Sequence, residues 1–230
     1  MPVVVELRGA TKRFGSVLAL DAIDLAVEPG ETVVLVGPNG SGKTTLLQLL
    51  AGTLEPDAGD VLVCGHNVVR ERRAARARTG AVLGGPGGWY PRLSGRANLA
   101  FFASLEALDD AASGAVDAAL DAVGLAEAAD RRVGGYSTGM RARLALARAR
   151  LADPSVLLLD EPTAALDARS VREFRDSLRS GDRPAVLLAT HDAEEAIQLG
   201  DRVVALRAGR VARELRHDPG FEDVTALMAA

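Results

Sequence analysis

Gly37-Pro38-Asn39-Gly40-Ser41-Gly42-Lys43-Thr44-Thr45 is the stretch on which the reading of this chain turns. It has the spacing of a phosphate-binding loop, a glycine followed after four residues by Gly-Lys-Thr. Its flanks agree. Glu31-Thr-Val-Val-Leu-Val36 reads as a buried strand, and Thr45-Leu-Leu-Gln-Leu-Leu-Ala51 reads as a helix that ends at Gly52. Glycines let backbone N–H groups wrap an anion where a helix begins, and the helix dipole adds to the attraction. The bland alternative is a Gly-rich turn in an α/β protein, and the ordered strand, loop and helix argue against it. The pattern implies a nucleoside triphosphate, with Lys43 reaching its β- and γ-phosphates and the Thr44 hydroxyl binding Mg2+.

Composition sets the frame around this loop. The 230 residues are 48% hydrophobic and 25% charged, which suits one compact globular domain with ample core. Against 31 acidic residues stand 27 basic ones, so the net charge of −4 gives no field that favours nucleic acid. The Arg-rich run Arg70–Arg78 has no interleaved aromatic residues and reads as a solvated helix or turn. The single cysteine, Cys64, cannot form an intrachain disulfide, which fits a reducing compartment. No signal-peptide pattern opens the chain, and no stretch approaches the roughly 18 apolar residues of a membrane span. If the chain works at a membrane, a partner holds it there.

Strand patterns fall at Val3–Leu7, Ala22–Val27, Thr32–Val36, Asp60–Val63, Thr79–Leu83, Val156–Leu159, Ala185–Ala189, Arg202–Leu206 and Val211–Leu215. Helix patterns fall at Lys43–Ala51, Arg96–Leu105, Ser113–Val123, Thr138–Leu151, Ala168–Leu178 and Ala193–Leu199. The order predicts an α/β protein with an antiparallel, strand-rich edge over about 1–35 and a phosphate-loop core over about 32–85 and 153–216. A mostly helical insertion is expected at about 86–152 and a short tail at 217–230.

A triphosphate site needs a carboxylate for its metal, and Ser155-Val-Leu-Leu-Leu-Asp160 delivers one at the end of a buried strand. Glu161 follows where the chain turns, so Asp160 is free to hold the metal while Glu161 faces the attacking water. Ala185-Val-Leu-Leu-Ala-Thr-His191 repeats the design. A lone histidine at a strand end is usually structural, but here His191 joins the other strand ends aimed at one edge, where it would bond the γ-phosphate and orient water or Glu161.

Together these features resemble the nucleotide-binding subunit of the ATP-binding cassette superfamily, over nearly the whole chain. Tyr136-Ser137-Thr138-Gly139-Met140 looks like the family signature, usually written Leu-Ser-Gly-Gly-Gln. Ser137 is also a good N-cap, and Thr138 and Gly139 present N–H groups at a helix start, so a second anion site stands beside a single phosphate loop. One economical explanation is a head-to-tail pair in which each subunit's signature covers the other's ATP. By the same resemblance Phe14, in Lys12-Arg13-Phe14-Gly15, would stack on adenine with Val17 beside it; taken alone, Phe14 would more often be a core residue. Asp167, in Ala165-Leu166-Asp167, would cross the dimer interface, and by itself is a plausible N-cap. The resemblance implies the ABC ATPase fold, ATP with Mg2+, a homodimer or paired cassette, a separate transmembrane permease and a place at the cytoplasmic face of the plasma membrane. No nucleic acid is expected.

The pattern also breaks. The family normally carries a glutamine that falls near Gly85 of this chain, where the sequence reads Leu83-Gly-Gly-Pro-Gly-Gly-Trp-Tyr90 and offers no ligand. The segment Gly88–Leu99 resembles a subgroup of bacterial exporters, in which the signature also tends to read Tyr-Ser-Thr-Gly-Met. Trp89 and Tyr90 there are either a docking surface for a membrane subunit or local packing. The alternatives to a transporter ATPase are a soluble cassette acting on nucleic acid or ribosomes, and a small-molecule kinase. The first tends to carry tandem cassettes, coiled-coil insertions or basic tails, and this sequence has none. The second would lack the signature and the Asp160, Glu161 and His191 set.

Overall fold

The structure, a computed structural model, describes residues 3–85, 87–105, 112–179, 183–216 and 220–229. Pro86, at the expected start of the helical insertion, and residues 217–219 and 230 of the expected tail lie outside them. The chain divides into two compact units. The first comprises Met1–Leu83, Ser155–Glu161 and Pro184–Ala230, and the second Gly84–Pro154 and Pro162–Arg183. The sequence assigns 162–183 to the core, whereas its backbone clusters with the helical segment.

In the first unit, β1 (Val5–Phe14) and β2 (Val17–Val27) form an antiparallel hairpin, paired on through β4 (Ala58–Val63) to β5 (His66–Asn67). The hairpin strands run longer than the sequence patterns, so Phe14 and Val17 face each other at its tip. The second sheet has the order β10-β9-β3-β8-β7-β6. Its members β3 (Thr32–Val36), β6 (Thr79–Val82), β7 (Val156–Asp160), β8 (Ala185–Ala189) and β9 (Arg202–Arg207) are parallel to their neighbours, and β10 (Arg210–Arg216) closes the edge antiparallel. Continuous apolar runs such as Leu157, Leu158 and Leu159 suit parallel strands covered on both faces. Arginines 210, 213 and 216 keep the β10 edge polar.

Against the sheets packs α1 (Lys43–Leu50), whose Leu46, Leu47, Leu49 and Leu50 are at most 1% exposed. Burying each contributes about 2 kcal/mol. They share one apolar cluster with Val33, Leu35, Leu158, Leu187 and Leu206 of the parallel sheet and Leu7, Leu20 and Ile23 of the hairpin. That cluster fixes the loop between β3 and α1 at the carboxyl edge, where β3 has β8 on one side and β9 on the other. Three helices complete the unit: α2 (Arg72–Arg76), α7 (Ala193–Leu199) and α8 (Phe221–Ala229). The Arg70–Arg78 run, read from the sequence as a solvated helix or turn, holds α2, whereas no helix is expected at α8. The arginines of the Arg70–Arg78 run are exposed, and Arg72 pairs with Glu55.

The second unit holds α3 (Gly95–Leu105), α4 (Ala112–Ala122), α5 (Thr138–Arg150) and α6 (Ala168–Arg179). Arg150 donates to the carbonyls of Ser177 and Leu178 at the end of α6, satisfying acceptors a helix terminus leaves open. Burial of that guanidinium lowers its pKa from the ordinary arginine value. Asn98 is fully buried and bonds both backbone groups of Tyr90, which fixes the loop before α3. Trp89 packs edge-on to Phe102 and Tyr90 to Phe101, so local packing accounts for both rings, yet Tyr90 stays 47% exposed. Among the described residues no helix is long and apolar enough to cross a membrane.

Candidate functional site

The phosphate loop leaves β3 and enters α1 through Gly42, whose φ of 108° lies in the left-handed region. A Cβ there would sit 2.7 Å from the Ala19 carbonyl oxygen of β2, so neither the backbone angle nor the space admits a side chain. The β9–β10 turn braces the loop from outside: Gly209 N donates to Ser41 O at 3.1 Å, and Asp21 N donates to Gly209 O at 2.8 Å. No side chain caps α1, and its first turn carries no acid. Its leading N–H groups are thus left for an anion.

Lys43 is buried, with its Nζ donating to Gly37 O at 2.7 Å and Pro38 O at 3.2 Å. The ammonium therefore lies across the loop it would share with phosphate. Ser41 Oγ is buried with no hydrogen-bond partner, an orphan acceptor and donor inside the same loop. This cradle fits a phosphate chain. Thr44 Oγ1 donates to Asp160 Oδ2 at 2.9 Å, bringing a hydroxyl and a carboxylate together as hard oxygen donors.

β7 ends in Asp160, and the next residue, Glu161, turns out of the strand with a φ of 49°. A left-handed glutamate costs about 1–3 kcal/mol and persists only where its surroundings hold it. Here Glu161 N donates to Ala189 O of β8 at 2.9 Å, and Glu161 Oε2 meets His191 Nδ1 at 2.6 Å. His191 follows Thr190, whose buried hydroxyl accepts from Asp192 N at 3.0 Å. Asp192 in turn caps α7. The ends of β3, β7 and β8 thus bring Lys43, Thr44, Asp160, Glu161 and His191 to one edge.

The family model for ABC transporters matches residues 20–164. The chain belongs to the ABC transporter ATP-binding family. A daunorubicin resistance ATP-binding protein of Streptomyces coeruleorubidus, DrrA3, is 43% identical over 97% of this chain and 73% of its own length. The sulfate/thiosulfate import ATP-binding protein CysA of Methylococcus capsulatus is 41% identical over 90% of this chain and 61% of its own. Among solved structures, the ATP-binding cassette MJ0796, a dimer in a post-hydrolysis state bound to ADP and Pi, has a TM-score of 0.80 at 26% identity, covering 92% of this chain and 98% of that one. The chain is thus an ATP-binding subunit of an ABC transporter, an ATPase with the cassette fold.

The remaining residues named from the sequence lie at the hairpin tip and in the second unit. Phe14 and Val17 are 47% and 63% exposed at the hairpin tip, so Phe14 is no core residue. Val17 lies on the same strand as Ala19, which touches the Gly42 position, so the tip stands within about 7 Å of strand from the phosphate loop. Ser137, Thr138, Gly139 and Asp167 belong to the other unit and form a cluster of their own. Ser137 Oγ accepts from Met140 N at 3.1 Å, and Asp167 accepts from Ser170 N at 2.9 Å and Ser170 Oγ at 3.2 Å. Ser170 abuts Gly139, where a Cβ would lie 2.6 Å from Ser170 Cβ. The backbone bond to Ser170 chiefly holds the Asp167 carboxyl below the usual range.

Tyr136, in the signature's usual leucine place, is buried and donates its hydroxyl to Ala128 O at 2.7 Å. Burial raises its pKa. Gly85, in the place of the usual glutamine, has a φ of 86°, so a Gly85→Gln chain would be strained there before it reached any ligand. Sequence reasoning missed the Ser41 orphan, the Gly209 brace and the Asp57 contacts at the hairpin. Each depends on residues far apart along the chain.

Proposed function

We propose that two copies of this chain, or this chain and a near twin, close head to tail on ATP and drive a separate transmembrane partner. The observation that carries this is the meeting of Thr44 with Asp160 and of Glu161 with His191 at the edge that holds the phosphate loop. The loop N–H groups and Lys43 would bind the phosphates, and Phe14 with Val17 would hold the base. Thr44 and Asp160 would bind Mg2+, which neutralises charge on the phosphate oxygens when present. Glu161 would take the proton of the attacking water while His191 orients it, the bond to the leaving phosphate oxygen breaking to give ADP and phosphate.

Ser137, Thr138 and Gly139 would meet the ATP of the facing copy, with Asp167 crossing the interface. The dimeric state of MJ0796 supports that arrangement. The partly exposed Tyr90, Phe101 and Leu105 of the second unit would face the permease at the cytoplasmic side of the plasma membrane. Export is supported by the Tyr-Ser-Thr-Gly-Met signature, which resembles that of the bacterial exporter subgroup. The test of the shared site is gel filtration of Glu161→Gln with ATP and Mg2+. A dimer that reverts to monomer without nucleotide is expected, and a monomer under every condition overturns the reading. Direction is tested by ATP-driven solute movement in inside-out vesicles carrying the co-purified permease, where outward transport appears as uptake.

A further inference from the structure

At the base-facing end, an aspartate with no part in phosphate chemistry gathers the end of β1. Asp57 lies between α1 and β4. Its Oδ2 accepts from Arg13 N at 2.6 Å and its Oδ1 from Lys12 Nζ at 3.1 Å, while Asp57 N donates to Thr11 O at 2.8 Å. β1 needs such support here, because its register against β2 shifts between Ala10 and Lys12 and again between Lys12 and Arg13. Ladder bonds alone do not hold an irregular strand end. The Lys12 side chain, 14% exposed, places its Nζ 5.7 Å from the centroid of the Phe14 ring. That distance lies within the reach at which an aromatic face attracts a cation.

We propose that Asp57 and Lys12 are positioning residues for the nucleotide base. Asp57 clamps Lys12 and the Arg13 amide, and Lys12 steadies the Phe14 ring, so the hairpin tip offers a fixed aromatic face. A ring already immobilised loses less freedom when a base stacks on it, and so binds more tightly. The proposal rests on the reading of Phe14 as the base-stacking side chain.

The experiment compares two probes, ATP and inorganic tripolyphosphate, by isothermal titration. The second carries the phosphates without a base. Phe14→Ala should weaken ATP about tenfold and leave tripolyphosphate unchanged. Asp57→Ala and Lys12→Ala should weaken ATP about threefold, again with tripolyphosphate unchanged. Asp57→Asn keeps an acceptor for the Arg13 amide and should fall between wild type and Asp57→Ala. Equal weakening of both probes by Asp57→Ala would mean general damage and overturns the proposal. ATP affinity untouched by Asp57→Ala but lost in Phe14→Ala overturns it too, leaving the base reading intact. ATP affinity untouched by Phe14→Ala overturns the base reading itself.

Discussion

On the proposed function two helix starts in this protein meet anions, and they are built differently. α1 begins at a left-handed glycine with no side-chain cap, so its first N–H groups have no acceptor of their own. α5 begins at Ser137, whose hydroxyl already accepts from Met140 N. Neither carries an acid in its first turn, which would repel an anion. The first start is held open by distant backbone, Ala19 on one side and Gly209 on the other, and is complete within its own unit. The second is partly satisfied by itself, and on the proposed function its ligand would be the ATP of the facing copy. An open start suits a tightly held substrate, and a self-capped one suits a contact that forms and breaks in each cycle.

The sharpest way to separate the two is through the chemistry that only the first unit supplies. Glu161→Gln should slow phosphate release about 1000-fold while ATP binding, followed by titration, stays as it was. Lys43→Ala should weaken ATP itself about 100-fold, since an ammonium held against the loop carbonyls is lost to the phosphates. At the second start, Gly139→Ala should cost about 1–3 kcal/mol in denaturant unfolding, because the new methyl meets Ser170. Adding Ser170→Gly removes that obstacle and should restore much of the stability. Nucleotide-dependent dimerisation recovering in parallel would show that Gly139 is needed for room. Recovery of stability without dimerisation would show that Gly139 serves the anion directly. Ser137→Ala should destabilise by about 1 kcal/mol, the value of a lost N-cap, with little effect on monomer binding of ATP.

The smallest effect separates the caps by pH. Ser137 does not titrate, whereas Asp167, the partner of Ser170 at the start of α6, does. Its carboxyl is held below the ordinary value, so its contribution is present above that value and is lost as pH falls through the lowered one. The margin of stability of the wild type over Asp167→Asn, read by denaturant unfolding, should therefore be full near neutral pH and shrink as pH falls, the two proteins converging in acid. A margin that does not change with pH would count against that cap.

Much of this was legible because certain residues report on short stretches of chain. Gly42-Lys43-Thr44 after an apolar strand, or Asp160-Glu161 after another, needs only neighbours to be understood. Strand and helix centres followed from apolar period, as at Ala185–Ala189 and Ala193–Leu199. The ends were less readable. β1 and β2 continue past their apolar pattern to Phe14 and Val17, because pairing across the hairpin holds residues that no periodicity marks. α8 was missed for a related reason: among its described side chains Val224 is the buried one, which leaves no apolar period to read. The departures from family pattern were visible as letters but not as physics. Tyr136 proved to be a plug with its own bond to Ala128, and Gly85 a left-handed backbone.

The sequence by itself determined the chemistry of the nucleotide site, since glycines, a lysine, two acids and a histidine at strand ends have few other uses in that order. It also determined the α/β class, through apolar runs separated by a helical stretch. Only the tertiary structure decided which partners those residues take. The choice of Asp57 for Lys12, Gly209 for Ser41 and Ser170 for Gly139 joins positions whose separation in the chain hides their contact. Local pattern encodes what a residue can do. Packing, which pairs it with one neighbour among many chemically alike, selects what it does.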